Sequence, residues 1–185
     1  MAVFYHRMSQ QPVLQTDRLT LRPHRIEDYA ACRALWADTH VVRHIGGTPQ
    51  DAQAVWFRLL RYAGMWSMLG HGMWVIEARD TGAFLGEAGL LQAARGLPEL
   101  EGVPEAGWVL GPAAWGRGIA TEAMRAVLAW ADAHLEAPSL RCIIDPGNRP
   151  SINVAEKLGF MPLIDTALGG KPTRVFDRPR PMPPR

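Results

Sequence analysis

Cysteine, net charge and long apolar runs are all scarce in this chain of 185 residues, and each scarcity excludes something. The two cysteines, Cys32 and Cys142, lack metal-ligand spacing and fall in apolar segments. They read as buried thiols and exclude a disulfide framework. No stretch approaches the roughly 18 apolar residues that span a bilayer. The start, MAVFYHRMSQ, has no continuous apolar core of a secretion signal, so a cytoplasmic location without a membrane partner is expected. A formal charge of +2, with basic residues scattered along the length, gives no stripe for nucleic acid. Internal repeats are missing, and the only biased stretch is the closing RPRPMPPR.

The remaining composition, 48% hydrophobic and 21% charged, is that of a soluble globular chain, and the length suits one domain. We expect that domain over residues 13–178, preceded by an extension at 1–12 and followed by a disordered Pro-rich tail at 179–185. Alternation over 13–22 predicts a first strand, and helical spacing follows over 26–36. Residues 38–47 read as a mobile loop or a short helix. Thr48 as cap and Pro49 at the first turn predict a helix to about Ser67, with Ala52, Val55, Trp56, Leu59, Leu60 and Ala63 as its buried stripe.

Apolar, β-rich segments at 71–79 and 83–93 flank Asp80-Thr81-Gly82 and predict a hairpin. After a loop at 94–103, strand 105–110, helix 121–135 and strand 140–145 form a βαβ unit, so these strands run parallel with a right-handed crossover. A short helix over 151–158 closed by Gly159, then strands 160–165 and 173–177, complete a mixed α/β sheet.

The segment Trp115-Gly116-Arg117-Gly118-Ile119-Ala120-Thr121-Glu122-Ala123 turns from glycine to helix just after a strand. The first N–H groups of a helix lack internal partners and sit at the positive end of its dipole, so such a turn can hold an anion. A P-loop is excluded, because no Gly-Lys-Ser or Gly-Lys-Thr occurs. A dinucleotide site is the rival reading, with Asp145 as its acid. Thr121 stands where its third glycine belongs, and no further βαβ units follow.

With Asp145-Pro146-Gly147-Asn148-Arg149-Pro150-Ser151 and Glu156-Lys157-Leu158-Gly159-Phe160, that segment resembles the paired motifs of the GNAT family of acyl-CoA-dependent N-acetyltransferases. The similarity runs from about Leu14 to Phe176 and is greatest to the subgroup that includes ribosomal-protein N-terminal acetyltransferases. It implies a single-domain GNAT-like α/β fold, a mixed sheet splayed in a V between strands 105–110 and 140–145, with helices on both faces. It also implies acetyl-CoA as cosubstrate, a primary amine as acceptor, no metal, and room for a homodimer. The loop's first position, usually Gln or Arg, is Trp115. By carry-over, the N–H groups of Gly116, Arg117, Gly118, Ile119, Ala120 and Thr121 would hold the CoA pyrophosphate. The edge at Trp108, Val109 and Leu110 would pair with the pantetheine arm, and Asn148 and Ser151 would contact it from the other side.

Acetyl transfer to an amine needs a base, because an ammonium has no lone pair. It also needs a donor for the oxyanion, here the Leu110 N–H, and optionally an acid for the departing thiolate. Glu105 is the preferred base and Glu87 the other candidate; either could instead only order the strand. Many family members carry a tyrosine acid where this chain has Ala155, so Ser151 is the expected substitute, as acid, as helix cap, or as both. His44, Glu87 and Trp108 are expected around the acceptor, with His71 and Trp74 as weaker candidates. A non-catalytic acyl-CoA sensor is the alternative reading.

Overall fold

The computed structural model describes residues 11–180. The first ten residues, and the part of the expected tail at 181–185, lie outside the described residues. The chain opens with β1 (Leu14–Gln15) and β2 (Leu19–Arg22), then α1 (Tyr29–Ala37), α2 (Thr39–Val42) and α3 (Ala52–Leu69). Next come β3 (Met73–Ala78), β4 (Phe84–Leu91), β5 (Glu105–Leu110) and α4 (Ile119–His134). β6 (Ser139–Ile144), α5 (Arg149–Lys157), β7 (Met161–Leu168) and β8 (Lys171–Pro179) complete it. Among the described residues eight strands form one sheet in the order β1-β2-β3-β4-β5-β6-β8-β7, and β5–β6 is its only parallel pair.

The expected first strand is two strands. Thr16 reverses the chain, its Oγ1 accepting from the Leu19 N–H at 2.9 Å, and β1 folds back antiparallel on β2 with Leu14 opposite Leu21. α3 also begins later than Thr48. The Gln50 N–H bonds Trp36 O and holds the approach extended, and Asp51, as good a cap as threonine, accepts from the Ala54 N–H at 2.8 Å. The buried stripe of α3 is rotated from the expected one. Val55, Leu59, Tyr62, Met65 and Trp66 face inward, while Trp56 and Leu60 are exposed, because the helical period continues through Tyr62 and Trp66 and sets the face toward the sheet.

Period-two alternation assigns each sheet face its helices. Ala88 and Leu90 of β4 join Ala123, Met124, Val127, Leu128 and Ala131 of α4 in the main core. Glu87 and Leu91, on the opposite face of β4, meet Trp36 of α1 and Tyr62 of α3. Helices therefore cover both faces. Cys32 and Cys142 are buried free thiols, as expected. Trp74 is fully buried, and His71, two residues ahead of β3, is buried too.

Candidate active site

The sheet forks where the sequence places its central parallel pair. β5 and β6 share one register pair, Glu105 with Arg141, and then separate. The Gly111 N–H bonds Leu85 O on the β4 side. By strand alternation the N–H groups of Trp108 and Leu110 point the other way, into the fork. The Leu110 carbonyl accepts from Trp115 Nε1 at 2.8 Å, so the tryptophan ties the strand end to the glycine turn.

At that end Gly116 (φ 70°) and Gly118 (φ 76°) both hold left-handed backbone, which only glycine adopts freely. Gly118 is the N-cap of α4 and supplies no side-chain cap. The first N–H groups of a 16-residue helix thus stay free, pointing out of the turn beside the fork, with Arg117 and Arg18 nearby. Ile119 is buried and anchors the turn, while Ala120 and Thr121 are half-buried.

Beneath the fork lies a cavity of about 650 Å³. Glu105, Trp108, Val109, Asn148, Ser151 and His44 all line it, so most of the expected site residues converge. Asn148, not Ser151, is the N-cap of α5; its side chain accepts from the Ser151 N–H at 3.3 Å. That leaves the Ser151 hydroxyl without a capping duty. Ala155, in the place of the common tyrosine, is fully buried in the main core.

Glu105 is 5% exposed and holds Arg95 with both oxygens, at 2.7 and 2.9 Å. Glu87 does not line the cavity. It is 1% exposed, and its oxygens take Trp36 Nε1 at 2.9 Å, Tyr62 Oη at 3.2 Å, Cys32 Sγ at 3.3 Å and His24 Nε2 at 3.1 Å. Burial alone would raise the Glu87 carboxyl, but His24, Trp36 and Cys32 together outweigh it and hold it below the usual carboxylate range. Tyr62 links this network to the cavity, and burial beside the Glu87 charge pushes its phenol up, so it remains a donor. His71 and Trp74 stand away from the cavity.

The loop after α2 crosses over this cavity. His44 Nδ1 lies 2.7 Å from Asp145 Oδ2, beyond β6, and Lys171 Nζ at the start of β8 donates to the Gly46 carbonyl. The bond to His44 and the Gly147 N–H hold the Asp145 carboxyl low. Arg58, Arg61, Arg95, Tyr62 and Lys171 also line the cavity, and none carries a sequence signal. Each lies on a segment of unremarkable spacing. Only Asp145 stood out, as a strand-end acid.

A mixed sheet forked beside a glycine-capped helix sets an open strand edge next to a run of free N–H groups. Comparison gives its family: the acetyltransferase (GNAT) domain matches residues 18–161, and the chain belongs to that family. The uncharacterized protein YkkB of Bacillus subtilis (strain 168) is 30% identical over 177 residues, 92% of this chain and 98% of its own. An acetyltransferase structure from Agrobacterium tumefaciens str. C58 is 32% identical with a TM-score of 0.79, covering 90% of this chain and 93% of that one.

Two more distant structures share the fold. The aminoglycoside acetyltransferase AAC(6')-Ib, in complex with ribostamycin and coenzyme A, has a TM-score of 0.74 at 21% identity, covering 89% of this chain and 94% of its own. RimL, a ribosomal L7/L12 α-N-protein acetyltransferase in complex with coenzyme A, has a TM-score of 0.75 at 13% identity, covering 91% of this chain and 98% of its own.

Proposed function

We propose that this protein transfers the acetyl group of acetyl-CoA to a primary amine by direct attack on the thioester. The observation that carries the proposal is the fork: β5 leaves N–H groups unpaired on its β6 side, and its end is tied through Trp115 to the turn that opens the uncapped α4. The free N–H groups from Gly116 to Thr121 hold the pyrophosphate, and the Trp108–Leu110 edge pairs with the pantetheine arm as a strand would. Asn148 and Ser151 face that arm from α5. Coenzyme A in the complexes of AAC(6')-Ib and RimL supports this choice of ligand.

In the reaction the neutral amine nitrogen bonds to the acyl carbon, and the Leu110 N–H stabilises the oxyanion. The C–S bond then breaks, the ammonium proton passes to a base, and CoA departs as a thiolate that Ser151 can protonate, directly or through water. Glu105 is the base. Arg95 engages one lone pair on each oxygen, and a carboxylate has about four, so Glu105 keeps acceptors for a chain of waters that relays the proton along β5 from the amine. One observation favours a second base: Asp145 engages Nδ1 of His44 and leaves Nε2 for the cavity, the orientation a general-base histidine requires.

Thiol release from acetyl-CoA against a panel of amines and peptides tests the reading. Turnover on at least one amine is expected; acetyl-CoA binding without release on any of them would make the protein a sensor. Gly118→Val tests the cradle. A β-branched residue in left-handed backbone costs about 1–3 kcal/mol, and relief by moving the turn should raise the KM for acetyl-CoA about 10-fold, with Gly118→Asn closer to wild type. An unchanged KM for the valine variant would remove the pyrophosphate from this turn. Ser151→Ala is expected to lower kcat only a few-fold, since a thiolate leaves readily without a proton.

A further inference from the structure

The charges around the cavity do not balance. Arg43, Arg58, Arg61, Arg95 and Lys171 line it against two carboxylates, Glu105 and Asp145. Both acids are already engaged, Glu105 by Arg95 and Asp145 by His44. Among the described residues Arg43, Arg58 and Arg61 have no carboxylate partner.

Three of these cations converge. Arg58 stacks over the Trp36 ring at 3.6 Å and donates to Tyr62 Oη, which fixes its guanidinium at the cavity wall. The Arg61 guanidinium stands 5.7 Å from the ring centroid of the same Tyr62, and burial of its head group with the charges of Arg58 and Arg95 presses it below the ordinary arginine value. Three guanidiniums that share one carboxylate, Glu105 on Arg95, leave net positive charge, the mark of a site for an anion.

The cluster is not placed for the CoA pyrophosphate. Arg95 sits on Glu105, at the far end of β5 from the glycine turn, and that strand spans about 17 Å. Glu105 shares its face of β5 with Val109, whose side chain packs against the helices α1 and α3, whereas Leu110 packs on the α4 face. The arginines therefore stand on the acceptor's side. Above them the loop fastened by His44–Asp145 and Lys171–Gly46 roofs the cavity, which limits what can enter.

We infer that the acceptor is a small amine that also carries an oxyanion, a carboxylate or a phosphate, and that Arg61, with Arg58 and Arg95, receives that group. The inference rests on the acetyltransfer reading above and narrows it to a substrate class. A polycationic amine would meet five cations here. An aminoglycoside, as bound by AAC(6')-Ib, is thus a poor acceptor for this cavity.

The test measures kcat/KM for thiol release from acetyl-CoA on pairs that differ in the oxyanion. These are α- and ω-amino acids against their methyl esters, and phosphoethanolamine against ethanolamine; ribostamycin and a peptide with an acidic N-terminal segment complete the set. The esters carry the less basic amine, so chemistry alone favours them. We expect the oxyanion member of at least one pair to lead by about tenfold or more, and the leading pair separates carboxylate from phosphate. Arg61→Gln should reduce that ratio about tenfold, Arg61→Lys should keep part of it, and Arg61→Glu should reverse it. Esters or ethanolamine equal to their partners, or ribostamycin as the best acceptor, would overturn the inference and leave acetyltransfer standing. Preference for the acidic peptide over every small amine would overturn the small-molecule acceptor. Absence of release with every amine and peptide tested would remove the acetyltransfer reading itself.

Discussion

Exchanging Glu105 for glutamine is expected to reduce kcat at saturating amine by about 100-fold or more, the usual contribution of a positioned base. The amide keeps the size of the side chain and an oxygen for Arg95, so the bidentate contact is halved and not abolished. What it loses is the capacity to take a proton. The readout is the pH profile of kcat with amine and acetyl-CoA both saturating: the variant should lose the wild-type dependence on the acidic side. A profile and rate unchanged from wild type would exclude Glu105 as base, and His44→Gln, measured in parallel, should then carry the loss. The two residues approach the cavity from different sides, one from the start of β5 and one from the loop after α2, so their variants are independent tests.

Glu87→Ala should cost about 3–5 kcal/mol of folding stability, the penalty for breaking a buried, hydrogen-bonded charge. Its carboxylate gathers groups from α1, α3 and the segment after β2, and alanine would leave the Trp36 indole N–H and the Tyr62 hydroxyl without acceptors in a dry interior. The same carboxylate makes the fold acid-sensitive. A folded-state value below that of the unfolded chain contributes stability that is present above about pH 4.3 and disappears as pH falls through the lower folded value. Urea unfolding followed by tryptophan fluorescence, at neutral pH and near pH 3, measures both effects. A loss under about 1 kcal/mol at neutral pH would show that the network is not what joins these helices to the sheet.

These two glutamates also show what is legible in sequence. Both sit on strands whose limits the sequence marks closely, since period-two patterning and glycine-rich punctuation are local signals; β5 occupies the expected residues, 105–110. The βαβ crossover and both motif segments are local in the same sense. The division of labour between Glu105 and Glu87 is not. It depends on which face of the sheet α1 and α3 cover, and the α3 stripe was displaced because two helical faces of that segment are apolar. Contacts such as His44–Asp145 and Lys171–Gly46 join residues 101 and 125 positions apart and leave no periodic trace. The arginine cluster is invisible for a further reason: with arginine as 18 of the 20 basic residues, no single one stands out until the fold collects Arg58, Arg61 and Arg95 around one cavity.

The single register pair between β5 and β6 divides the eight strands into a block of five and a block of three, joined along the sheet at one point. Such a sheet is hinged there, and the angle between its blocks is held by the helices and the overhead loop instead of by a ladder. A ligand that bonds both open edges acts as a stitch. Amide exchange along the fork, more than anywhere else in the protein, is where the difference between the empty and the loaded molecule should be written.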